Sequence, residues 1–335
     1  MATPLESRRI VIAGASSLLG AELKSLLEES RFAASDFRLV DEETVAGTLT
    51  EAGGEAAIIQ PVEEDSFDKA WLVFFAGSPA FSERNIELAK RSGARIVDLS
   101  GNSAGLAGAQ TWLPKFEEHA TTTFDKEARI FAVPSAPAEV IARLAMALRS
   151  LNPGALTAVA FQPVSSSGGK AGIEELEAQT GQLLSFQSLG KQVFDAQVAF
   201  TMLDRFGNSS KQRLQSSLEI LRREVRSCLL KETQTPALQL LHAPVYYGTT
   251  VTACAILDPA ADPSVITKAC ASVGFSITAD DAAPSNISSA GETSLQLSAP
   301  QRDPSNSGTW WFWAAADNLR VPAGNAVKLA EKLLA

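Results

Sequence analysis

The chain has 335 residues, 45% of them hydrophobic and 20% charged, with a formal net charge of −9. That length accommodates two domains with a core each, and the acidic balance excludes nucleic acid and anionic membranes as expected partners. No apolar run approaches the roughly 20 residues of a membrane span, residues 1–9 lack an apolar signal core, and Cys228, Cys254 and Cys270 lack metal-type spacing, so a cytoplasmic, metal-free protein is expected.

In chain order, residues 8–13 form a β-rich run that ends in a glycine turn. Leu23, Leu26 and Leu27 give the next segment, 21–29, helical spacing. Strands are expected at 37–40, 71–76 and 95–99, with a helix over 82–91. This alternation predicts a parallel sheet with crossover helices, running to about residue 133. Beyond it come a helix at 138–151, a strand at 156–163, a Ser/Gly loop at 165–169 and a helix at 171–184. An amphipathic helix covers 211–231. Strands at 240–245 and 249–257 are expected to be neighbours joined at Tyr247-Gly248. A helix at 265–273, Ser/Pro/Gly-punctuated strands up to Trp313 and a final helix at 325–334 complete the chain. The last helix is expected to pack back on the first domain.

Gly14-Ala15-Ser16-Ser17-Leu18-Leu19-Gly20 follows a strand and opens a helix. In that context a glycine turn holds a diphosphate on helix amides. Gly14 permits the tight turn and Gly20 close helix packing; Ser17 stands where a central glycine is usual. Taken alone, the turn serves equally as a βα connection of any α/β protein. Asp41-Glu42-Glu43 follows about 20 residues after Gly20, where an adenine ribose is read. An acid there accepts a bond from the ribose 2′-hydroxyl, whereas a 2′-phosphate would meet three carboxylates. If a dinucleotide binds, charge favours NAD over NADP; a solvated acidic loop is the other reading.

Arg129-Ile-Phe-Ala-Val-Pro-Ser-Ala-Pro-Ala-Glu reads as a strand, a proline turn and a helix start. Ala136 falls at the helix N-terminus, where amides would stabilise a thiolate. A second landmark is Phe161-Gln-Pro-Val-Ser-Ser-Ser-Gly-Gly-Lys-Ala-Gly-Ile-Glu-Glu-Leu. These segments resemble the aspartate-semialdehyde dehydrogenase family, with its Pro-Asn-Cys-Ser-Thr turn and its Tyr-Gln-Ala-Val-Ser-Gly-Ala-Gly segment. The resemblance spans nearly the whole chain and marks it as a divergent, Usg-type member lacking the catalytic cysteine.

The resemblance implies an α/β architecture: an N-terminal Rossmann-type parallel-sheet domain over 1–133, completed by a C-terminal helix over 318–335, and an α+β substrate and dimerisation domain over 134–317 with a broad mixed sheet. It implies an NAD(P) pocket built on Gly14, Ala15, Ser16, Ser17, Leu18, Gly20 and Asp41. Ala76, Gly77 and Ser78 resemble the loop beside the cofactor, and Asp317-Asn318-Leu319 with Asn325 the segment that returns to the nicotinamide. Gln162, 26 residues after Ala136, falls on the glutamine that orients the covalent intermediate.

The other roles are replaced. Ala136 holds the nucleophile position, Ala104 that of the phosphate-binding arginine, and Ser217 and Ile220 those of the substrate-binding Glu and Lys. In His242-Ala-Pro-Val-Tyr-Tyr-Gly-Thr249 the substrate clamp becomes His242 and the base becomes Thr249. Thioester chemistry needs a thiolate, a base near neutral pH and cations for phosphate and carboxylate. Among the remaining cysteines, Cys228 lies on an Arg-rich helix that could lower its pKa, but all three read more readily as ordinary packing or surface residues. The expectation is a catalytically impaired relative that binds a nucleotide or small molecule and forms a homodimer through strands 156–163 and 307–314. An active NAD(P)-dependent oxidoreductase using His242, Lys170 or Tyr246 as proton donor is the alternative.

Overall fold

In a computed structural model of the chain, residues 8–52, 55–115, 124–229, 233–279 and 282–334 are described; residues 1–7, His119 and the end of the expected helix at 230–231 lie outside them. The chain divides into two compact units. One is made of residues before 116, 122–135 and the stretch from 322; the other is chiefly 136–321.

The first unit holds a parallel sheet. Its strands are β1 (Arg9–Ala13), β2 (Asp36–Asp41), β5 (Gln60–Pro61), β6 (Ala70–Phe75), β7 (Arg95–Asp98), β8 (Ala109–Thr111) and β9 (Ile130–Ala132), in the order β5-β2-β1-β6-β7-β9-β8. Successive side chains of a strand point to opposite faces, and both faces are apolar. Ile10, Ile12, Leu72 and Phe74 pack with Leu23 and Leu27 of α1 (Leu18–Glu28) and with Ala326 and Ala330 of α7 (Arg320–Leu334). Val11, Ala13, Val73 and Phe75 pack with Phe81, Ile86 and Ala89 of α2 (Pro79–Arg91). Burial on both faces is what a parallel sheet requires, and each fully buried large side chain contributes about 1.5–3 kcal/mol. A hairpin of β3 (Leu49–Ala52) and β4 (Glu55–Ile58) went unforeseen. Its Glu and Ala residues carry little strand preference.

The second unit is a mixed sheet covered by helices. It contains β10 (Ala155–Gln162), β11 (Ala237–His242), β12 (Thr249–Ile256), β13 (Phe275–Ile277), β14 (Leu295–Leu297), β15 (Gln301–Arg302) and β16 (Thr309–Ala316), in the order β11-β10-β12-β16-β14-β13, with β15 on β16. β11 and β12 are therefore not neighbours, contrary to expectation. β10 lies between them, parallel to β11 and antiparallel to β12. Residues 243–248 step over the end of β10, where the carbonyls of Val245 and Tyr246 accept the amides of Val164 and Ser165. The expected loop at 165–169 is also corrected: α4 (Val164–Leu184) begins before it and breaks only at Gly169, at φ 58° and ψ −142°.

Helix α3 (Ala136–Arg149) packs on α5 (Leu214–Cys228), α6 (Pro263–Ser272) and β12. On the sheet's outer face Cys254 pairs in register with Trp311 and Thr252 with Trp313. Trp311 and Trp313 are 43% and 37% exposed, and the Trp313 ring lies 6.2 Å from that of Phe161.

Candidate functional site

The glycine turn is built for close approach. Gly14 has φ +88°, and a Cβ there would lie 2.2 Å from the amide nitrogen of Gly77. The β1–α1 and β6–α2 loops therefore touch through backbone where other residues would hold them apart. Ser17 caps α1: its Oγ accepts the Gly20 amide at 2.8 Å and donates to the Ala76 carbonyl at 2.8 Å. The departure from a central glycine thus ties the turn to the buried Ala76. Gly14 and Ala15 donate to the Val40 carbonyl, and the Ser16 amide donates to Asp41 Oδ2 at 2.8 Å. The amides of Leu18 and Leu19, in the first helical turn, are the donors left for an anion. Ser78 caps α2 by accepting the Phe81 amide at 3.2 Å.

Asp41, at the C-terminal end of β2, is 6% exposed. Its Oδ1 accepts the Glu42 amide at 2.8 Å, so the carboxylate is fixed by backbone amides on both oxygens. Beside it lies a groove of about 380 Å³ lined by Asp41, Glu42, Glu43, Glu63, Arg84 and Asn85, among others. Such a groove beyond the carboxyl ends of parallel strands is where an open α/β sheet binds ligands. Arg84 and Asn85, on α2, carry no motif. Only the topology, which puts α2 beside the end of β2, brings them to Asp41.

The chain enters α3 at Ala136, whose methyl group is fully buried. In the first unit Asp98, also fully buried, organises the next loop. Its Oδ1 accepts the Ser100 amide and hydroxyl at 3.0 and 2.6 Å, and its Oδ2 the Ser103 amide at 2.7 Å. Ala104 follows, only 3% exposed. None of the three cysteines is an activated thiolate. Cys228 is a buried packing residue and its Arg-rich helix does not activate it: burial, with Glu224 and Glu139 nearby, pushes its pKa up rather than down. Burial pushes Cys270 up to about 12 and also raises Cys254. Among the described residues no three His, Cys, Asp or Glu side chains gather as a metal centre needs.

In the second unit the register pairs Gln162 with His242 and Phe161 with Thr250. Gln162, His242 and Thr249 therefore share one end of the sheet. Thr249 is 2% exposed and its Oγ1 donates to the Phe161 carbonyl at 3.1 Å. Asn318 clasps the start of α4: it accepts the Gly248 amide at 2.7 Å and donates to the hydroxyls of Ser165 and Ser166 at 3.1 and 2.9 Å. Asn325, 3% exposed, lies on α7 of the first unit. Ser217 and Ile220 are partly exposed on α5, and the Ser217 hydroxyl bonds back to the Arg213 carbonyl. Of the alternative proton donors, Lys170 and Tyr246 are exposed.

His242 is fully enclosed. Its ring packs against Phe206 and Phe194, with centroids at 5.6 and 6.2 Å; Nε2 lies 3.3 Å from the Val198 carbonyl, and Nδ1 has no partner. Burial lowers its pKa, outweighing the Val198 bond that raises it. The neutral ring is thus the native form, and the unfolded chain binds the proton more readily. Stability is full above the unfolded value near 6.5 and falls as the pH drops below it towards the folded value. Urea midpoints are expected to decline as the pH falls below about 6.5, and His242→Leu should flatten that decline. An equal decline in the variant would assign it to other groups.

A glycine turn between a parallel strand and a helix, in a sheet packed on both faces, is the architecture that dinucleotide-binding domains use; here a helix-covered mixed sheet accompanies it. Residues 9–124 match the family model for the semialdehyde dehydrogenase NAD binding domain, and residues 145–321 that for its dimerisation domain. The chain belongs to the semialdehyde dehydrogenase family. It is similar to a USG-1 protein homolog from Azotobacter vinelandii, at 28% identity over 97% of each chain. It is also similar to an aspartate-semialdehyde dehydrogenase from Rickettsia bellii, at 24% identity over 97% of each. The structure of a probable aspartate-semialdehyde dehydrogenase from Pseudomonas aeruginosa shares its fold, with a TM-score of 0.84 over 98% of both chains at 24% identity. Among the described residues no helix is long and apolar enough to cross a membrane.

Proposed function

We propose that this chain binds NAD and has lost the thioester chemistry of its family. The observation that carries the reading is Ala136: at the first position of α3 a buried methyl stands where the resemblance puts the nucleophile. An alanine forms no acyl intermediate, and loss of a nucleophile alone costs orders of magnitude in rate. Thr249, whose hydroxyl donates to a backbone carbonyl, has no basicity to offer at neutral pH. Ala104 offers phosphate no charge. The enclosure of His242 supports a packing role rather than proton transfer to a substrate.

The first unit fits the nucleotide. The contact at Gly14 that leaves no room for a Cβ, the first-turn amides of α1 and the groove beside Asp41 are what a diphosphate and an adenosine need. A bound nicotinamide would supply hydride transfer; the turn residues 14–20 would hold the diphosphate and Asp41 the ribose. Four carboxylates around the groove favour a 2′-hydroxyl over a 2′-phosphate.

The partner is a second copy of the chain. The family's dimerisation domain and the outer sheet face with Phe161, Trp311 and Trp313 support a homodimer. Aromatic side chains of that kind anchor protein interfaces. A cytoplasmic location accords with this reading.

Calorimetric titration tests the nucleotide choice: NAD+ is expected to bind at least about tenfold more tightly than NADP+. Tighter NADP+ binding would overturn the preference, and no binding of either would overturn the nucleotide reading.

A further inference from the structure

The groove at the end of β2 holds an ion pair that no motif announces. Arg84, in the second turn of α2, donates through a terminal guanidinium nitrogen to Glu42 Oε1 at 2.6 Å. Glu42 directly follows Asp41, and its amide donates to the Asp41 carboxylate. The groove's lining carries four carboxylates, on Asp41, Glu42, Glu43 and Glu63, and one cation, Arg84. Both members of the pair are about half exposed, at 56% and 44% of their side chains. An exposed pair of this kind holds weakly, and its arginine is free to change partner.

We infer that Glu42 sets the dinucleotide preference by occupying Arg84, so that the groove's cation is withheld from a 2′-phosphate. The inference rests on the reading of this unit as a dinucleotide site. A planar guanidinium is the side chain best matched to a phosphate, and one stands in this groove already. A 2′-phosphate, carrying more than one negative charge near neutral pH, would compete with Glu42 for Arg84 and then lie beside the released carboxylate. Glu42 therefore acts twice against it, by engaging the cation and by repelling the anion. Asp41 does not share this role, because backbone amides fix both of its oxygens. The preference that the groove's carboxylates create is then sharpened by a pair that one substitution opens, rather than by the shape of the turn.

The test is calorimetric titration of NAD+, NADP+ and 2′,5′-ADP into the full chain, the Glu42→Gln variant and the Glu42→Gln/Arg84→Ala double variant. Glu42→Gln keeps the side chain's shape and removes its charge. It is expected to raise the ratio of NADP+ to NAD+ affinity about tenfold and to improve 2′,5′-ADP binding in parallel. Higher salt should shrink that gain, and the double variant should lose it. An unchanged ratio in Glu42→Gln, or a gain that survives loss of Arg84, overturns the inference while leaving NAD+ binding intact. Failure of all three proteins to bind any of the three compounds overturns the dinucleotide reading, and this inference with it.

Discussion

Replacing Gly14 by alanine is expected to cost about 3 kcal/mol or more of stability and to abolish nucleotide binding. Two penalties combine. The backbone at Gly14 has φ +88°, which an L side chain adopts at a cost of about 1–2 kcal/mol. A Cβ there would also lie 2.2 Å from the Gly77 nitrogen and 2.4 Å from its Cα. Neither atom belongs to a flexible side chain, so the β1–α1 and β6–α2 loops must separate. That separation would break the Ser17 bond to the Ala76 carbonyl and the register of β1 on β6. Gly47 supplies the control, because it has φ +85° with open space around it. Gly47→Ala should pay only the backbone penalty, about 1 kcal/mol. Urea denaturation of the two variants separates the terms. Equal losses would show that the close approach of the loops contributes nothing.

The second large effect lies in α3. Glu139 and Arg143 form an ion pair one helical turn apart, at 2.6 Å, with side chains 3% and 6% exposed. Arg143 also donates to Glu139 Oε1 through Nε at 2.8 Å and reaches the Val273 carbonyl at the end of α6. Removing one member of a buried pair strands the other charge at a cost of about 3–5 kcal/mol. Glu139→Ala should therefore destabilise the protein by about 3 kcal/mol. Glu139→Leu combined with Arg143→Met replaces the pair with apolar groups of similar volume and should recover most of that loss. A double variant as unstable as the single one would mean that the pair is tied to further groups that need its charges.

Residues 9–13, 71–75 and 95–98 announce the parallel sheet because strands buried on both faces are apolar throughout, and the helices between them carry a clear period. The mixed sheet was harder to foresee. Residues 240–245 and 249–257 read as adjacent strands because they are close in sequence, yet the first strand runs over 237–242 and β10, some 75 residues earlier, is inserted between the two. Pairing at that range leaves no local signal. The Gly14–Gly20 turn and Ala136 stand out through their spacing and through resemblance. Asp41 also stands out, although its bonds to the Ser16 and Glu42 amides do not. Arg84 and Asn85 lie on an ordinary amphipathic helix, and only the order of β2, β1 and β6 brings them to the groove. Charge counting along α5 says little about Cys228: desolvation dominates its thiol, and Glu224 of the same helix with Glu139 of α3 adds to the rise against the smaller opposing effects of Ser227 and Arg143.

The most direct test is a single turnover: the protein at high concentration, saturated with NAD+, is mixed with L-aspartate β-semialdehyde and phosphate while reduced nicotinamide is followed by its absorbance. With a methyl group at Ala136 no thioester forms, so no reduced nucleotide is expected. Ala136→Cys should not restore it, because Ala104 and Thr249 remain. Formation of reduced nicotinamide in an amount equal to the protein would contradict the loss of covalent chemistry.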